Sequence, residues 1–114
     1  MSVGFDRFGE LASEVGSGVV PDPVRRGQIE VDVVVLAAPE PGKPRRVLSL
    51  GEATWGDVIG RRQVDRLRRA RDLLSGQGFD MSQTVLACYS GAGFEQDLAG
   101  DVVTIGLDDL YRTR

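Results

Sequence analysis

At 114 residues, with 41% hydrophobic and 27% charged side chains, the chain is of a size for one globular domain, and a formal charge of −3 excludes bulk attraction to a polyanion. Without a histidine, Ser-His-Asp and Cys-His catalysis and histidine-ligated zinc are excluded within the chain. The single cysteine, Cys88, excludes an internal disulfide and fits a reducing cytoplasm, and no apolar run reaches the roughly 20 residues of a membrane span.

Phe5, Phe8, Leu11, Ala12 and Val15 recur at helical spacing and predict a helix over 4–15 that Gly16 and Gly18 stop. Residues 19–26 carry Pro21 and Pro23 and suit a ragged edge strand or a loop. Residues 28–37, β-branched and bounded by Gly27 and Pro39, form the clearest strand. The turn PEPGKP at 39–44 leads into a second strand over 45–53. Residues 61–74 predict a helix that turns Val64, Leu67, Ala70 and Leu74 inward, ended by Gly76 and Gly78. QTVLACYS at 83–90 is a buried strand with Cys88 in the core. Residues 91–100 read as a turn and a short helix, and 101–107 as a last strand. Strands mixed with crossover helices predict an α/β fold with a mixed sheet.

A hairpin centred on Gly42 pairs residues whose numbers sum to 84. Leu36 then faces Leu48, Val34 faces Leu50, Asp32 faces Glu52 and Glu30 faces Thr54, all on one face of the sheet. Like charges directly opposite each other cost a few tenths to about 1 kcal/mol, and burial adds to that. A hard cation such as Mg²⁺ or Mn²⁺ offsets the cost best, and such a site serves phosphodiester hydrolysis. The alternative is that both acids are solvated strand-end residues near arginine side chains.

GQIEVDVVVL followed by LSLGEATW resembles the E-[VI]-D-V-V…G-E-x-K-W pattern of a PD-(D/E)xK nuclease-like domain. That domain is found at the C-terminus of a family of archaeal and bacterial ATPases with an AAA-type domain upstream. The resemblance implies a restriction-endonuclease-like three-layer core, a mixed β-sheet flanked by helices in the order αβββαβ. It would span 1–114 as the C-terminal part of a larger ATPase. Asp32 and Glu52 would be metal ligands for Mg²⁺ or Mn²⁺, with the Ala53 carbonyl a third. Thr54 stands where the family has its lysine, and a hydroxyl supplies no positive charge to an attacking water. The family's first helix often carries Phe-Glu; here Phe8 precedes Gly9, so Glu10 or, one turn on, Glu14 would be the auxiliary acid, with Glu30 nearby. Gln63 resembles a helix glutamine that some exonucleases of the superfamily use.

Residues 61–71 hold six arginines, and Asp65 and Asp72 are the only acids on that helix. Arg62, Arg66 and Arg69 form an i, i+4, i+7 stripe along which a phosphate backbone could lie. Arg61 or Arg62 could replace the missing lysine charge. Trp55 reads as packing at a strand end. The expectation is a DNA-binding or regulatory nuclease-like domain with weak or no metal-dependent cleavage, partnered by DNA, by its own ATPase or by another copy. The alternative is a structural interaction or oligomerisation module of an ATPase.

Overall fold

The computed structural model describes residues 14–96, 98 and 100–106. Among them, five strands and one helix follow in the order β1 (Glu14–Asp22), β2 (Gly27–Leu36), β3 (Val47–Thr54), α1 (Arg61–Gly76), β4 (Val85–Ser90) and β5 (Val102–Gly106). One sheet orders the strands β1-β2-β3-β4-β5. β1, β2 and β3 form an antiparallel meander, and β3, β4 and β5 run parallel, so β2 alone opposes the rest. The helix is the crossover between two neighbouring parallel strands, the connection such strands require. No helix among the described residues is long and apolar enough to cross a membrane.

Local chemistry explains the turns. Lys43 donates its backbone N–H to the Glu40 carbonyl at 3.1 Å. Pro41 presets the first corner of that turn, and Gly42 takes a φ of 76°, a left-handed corner that favours glycine. At the β1–β2 turn the Asp22 side chain accepts the Arg25 N–H, a local turn bond typical of aspartate.

α1 buries Val64, Leu67 and Ala70 against Val20, Val31, Leu50, Leu86 and Cys88 of the sheet. Leu74 is packed there but only partly buried. A smaller apolar cluster joins Val35, Ala37 and Leu48, with Val33 against it.

Three expectations change. Glu14 and Val15 belong to β1, not to a helix, and Gly16 and Gly18 lie inside that strand; the remainder of the expected helix, 4–13, lies outside the described residues. Residues 91–100 show no helix among those described; Phe94 instead bridges to Ile59. The hairpin register centred on Gly42 holds for Val33–Gly51, Val34–Leu50 and Val35–Ser49, then slips so that Leu36 meets Val47 rather than Leu48. Leu48 accordingly joins Val35 in the second cluster while Leu36 and Leu50 pack with α1.

Leu50 is fully buried in the sheet centre. Leu50→Ala is expected to lower unfolding free energy by about 2–5 kcal/mol in urea titration. Val24→Ala, in the exposed β1–β2 turn, should stay within roughly 0.5 kcal/mol of the parent.

Candidate functional site

Glu52 sits near the C-terminal end of β3, beside Cys88 of β4, with its side chain 18% exposed. Its carboxyl is pushed above the usual range, first by burial, against the opposing pull of Arg66 and with a smaller push from the Asp32 charge. Arg66 approaches it to 4.0 Å from α1. Asp32 is exposed, and its Oδ2 accepts the Ala53 N–H at 3.0 Å. The two acids are therefore brought within electrostatic reach of one another, beside Ala53.

The reason is not the simple alternation expected. The β1–β2 register shifts by one residue between the Gly18–Val31 and Gly16–Val34 pairs, which places an extra residue on β2 around Asp32 and Val33. Val31 and Val34, three apart, consequently both pack with α1. Strand parity thus ceases to assign a face to Asp32, and the β2–β3 pairs end at Val33–Gly51, short of Asp32–Glu52. The expected Glu30–Thr54 pair does not form either, because it too lies beyond the last β2–β3 pair; Glu30 is exposed opposite Val19 of β1, and half-buried Thr54 lies opposite Ser90 of β4.

The arginine helix divides its charges among different tasks. Arg69 donates from Nε and Nη2 to the two oxygens of Asp22, both at 2.8 Å, and Asp22 is 3% exposed. This two-pronged pair holds the Asp22 carboxyl down at about 2. Arg69, expected on the nucleic-acid face, is thereby committed to the fold. Arg68 bonds Asp65 and Asp101, and Arg71 approaches Asp72 and Asp101. Arg61, Arg62 and Arg66 are exposed. Together with Arg25 from the β1–β2 turn and with Asp22, Gly27, Gln28, Ile29, Asp65 and Arg69, they line a groove of about 740 Å³.

The auxiliary residues separate from this site. Glu14 pairs with Arg45 at 3.0 Å and lies opposite Leu36, four residues and roughly 13 Å along β2 from Asp32. Glu10 is outside the described residues. The Gln63 side chain accepts the Gly60 N–H at 2.9 Å, so it caps α1. Three residues escaped the sequence reading, the first being Arg25 of the groove, which sits in a turn outside the arginine helix. Asp22 carried no signal, because its partner is 47 residues away. The Glu95 carboxylate lies over Gly60 and accepts the Arg61 N–H at 3.2 Å, filling the helix N-terminus with the chain's own anion. Cys88 is buried, and burial together with Glu52 pushes its thiol up to about 11, which makes it unreactive.

No family model, curated protein or solved structure matches the chain.

Two pH effects follow. The Asp22 carboxyl titrates lower folded than unfolded, so its contribution is complete above the ordinary value of 3.8 and drains away as pH falls through about 2. Acid titration of Asp22→Asn should show a deficit against the parent at pH 7 that shrinks toward pH 2. The Glu52 carboxyl is raised, which has the opposite sign: its charged form costs stability at neutral pH and nothing once both states are protonated. Glu52→Gln should melt above the parent at pH 7, with the gain vanishing below the ordinary carboxylate range.

Proposed function

We propose that the domain binds a DNA backbone in the arginine groove along α1. In this reading it has the restriction-endonuclease-like core and a metal site weakened to little or no cleavage. The observation that carries the reading is the groove itself: Arg25, Arg61, Arg62 and Arg66 converge on one concave surface of a chain whose net charge is negative. Guanidinium groups suit phosphate, offering several donors in a fixed plane. The meander followed by an α crossover into parallel strands, with the acids on the second and third strands, supports the nuclease-like core. The sequence resemblance adds the setting, a domain attached to an AAA-type ATPase.

Asp32 and Glu52 fit one Mg²⁺ or Mn²⁺, which commonly takes one or two carboxylates and completes its shell with water and substrate phosphates. The Ala53 carbonyl could add a further oxygen. A bound ion would polarise the phosphate and make hydroxide available near neutral pH. The chain's own residues act against that step. The Arg66 guanidinium already stands 4.0 Å from Glu52, so a cation must compete with it. The Asp32 carboxylate has one oxygen committed to the Ala53 N–H. Thr54 contributes no charge.

A second reading, a protein-interaction module, draws on β1. Among the described residues it is an edge strand of the sheet with Val15 and Val19 about half exposed, and sheet edges invite another strand.

Binding of labelled DNA, followed by anisotropy at several salt concentrations, tests the first reading. Affinity should fall linearly with salt on logarithmic axes, and Arg61→Gln, Arg62→Gln and Arg66→Gln should each flatten the slope by roughly 1. Arg68→Gln should leave it unchanged. No DNA binding, with self-association removed by a Val19→Lys change, would favour the module. Supercoiled plasmid with Mn²⁺ should be nicked slowly or not at all; fast cleavage abolished by Asp32→Asn would overturn the weakened-site account.

A further inference from the structure

We propose that Trp55 is a stacking platform for an unpaired base, and that the groove's ligand is therefore single-stranded nucleic acid. This rests on the groove reading above and narrows it. Trp55 follows the last residue of β3 and is 59% exposed, an unusual amount of aromatic surface to leave in water. Val58, 50% exposed, shares its loop.

The platform is held rigidly. The six-membered ring of the indole lies over Gly91, where any Cβ would collide with it. Gly91 donates its N–H to the Thr54 carbonyl at 3.0 Å. Ser90 clamps both loops: its hydroxyl donates to the Asp57 carbonyl at 2.9 Å and accepts the N–H groups of Ala92 and Gly93 at 3.0 Å. Ile59 N–H reaches the Gly93 carbonyl, and Glu95 N–H returns to the Ile59 carbonyl. A base landing on this indole would meet a surface already ordered, so little entropy is lost on contact.

The position is equally informative. Trp55 leaves β3 three residues beyond Glu52, at the end of the sheet where the β1–β2 turn and the start of α1 also lie. Six residues further, the chain enters α1 at Arg61 and Arg62, which line the groove. A cationic track and an aromatic face at one end of the sheet supply the two-part chemistry that holds single strands, with phosphates on arginine and a base on the ring. In a duplex both faces of each internal base are already stacked, so the indole would have no free face to meet.

The test is direct because Trp55 is the only tryptophan in the chain. Its emission is followed while the protein is titrated with a ten-residue oligo(dT), an abasic sugar–phosphate strand of equal length and a blunt duplex. Anisotropy of labelled strands reports binding in parallel. Oligo(dT) should quench the emission and bind about 5- to 100-fold tighter than the abasic strand. Trp55→Ala should erase that difference while leaving the abasic affinity unchanged, and Trp55→Phe should keep part of it. If all three strands bind equally and Trp55→Ala changes nothing, the stacking proposal fails and the groove reading stands. If none binds, the groove reading fails and takes the proposal with it. Melting of each variant confirms that the exposed substitution leaves the fold intact.

Discussion

A carboxylate and a guanidinium that meet across 47 residues of chain fix the shape of the groove. Asp22 is nearly buried, and an ionised acid taken out of water is tolerated only when its oxygens are satisfied. The planar fork of Arg69 satisfies both at once, and the Arg25 N–H shares one of them. That junction seats the β1–β2 turn against the middle of α1 and carries Arg25 toward the arginines of the helix. The groove is the space left between the turn and the helix once the junction is made.

Along α1 the six arginines are then sorted by what stands opposite them. Arg68 and Arg71 face Asp101, just before β5, and form surface ion pairs of small energetic weight. Arg69 faces Asp22. Arg66 faces Glu52, whose half-buried carboxyl it keeps partly in check. Arg61 and Arg62, at the helix start, point their charge into the groove, and Glu95 already occupies the backbone N–H end of the helix. A chain with a net negative charge thus presents a concentrated positive surface in one place. Focusing of that kind raises the local concentration of an anionic ligand without requiring a basic protein.

Much of this organisation was legible in the sequence wherever the signal was local. Pro41-Gly42 set the hairpin centre, and three strand pairs follow from it. The 3.6-residue period of Val64, Leu67 and Ala70 placed the buried face of α1 and, by exclusion, its arginine face. What was illegible depended on distant partners or on irregular strands. Gly16 and Gly18 read as helix stops, yet β1 runs through them because pairing with β2 outweighs their weak strand preference. An added residue in β2 at Asp32–Val33 leaves no mark in the sequence, and it is what invalidates the parity argument for the acidic pair. Arg69 looked equivalent to Arg62 and Arg66 on the stripe; only the fold reveals that Asp22 lies opposite it. Trp55 read as packing, and one part of its ring does pack on Gly91, but its exposure belongs to the loop geometry that Ser90 imposes.

The central claim is that one set of arginines, and not its neighbours on the same helix, meets the phosphates. Arginine Nε–Hε resonances, assigned by single substitutions and followed by NMR during addition of a short oligonucleotide, test it residue by residue. The account requires the signals of Arg25, Arg61, Arg62 and Arg66 to shift together and saturate together, while those of Arg68 and Arg71 stay in place. Shifts confined to Arg68 and Arg71, or no shift at any arginine at saturating oligonucleotide, would contradict it.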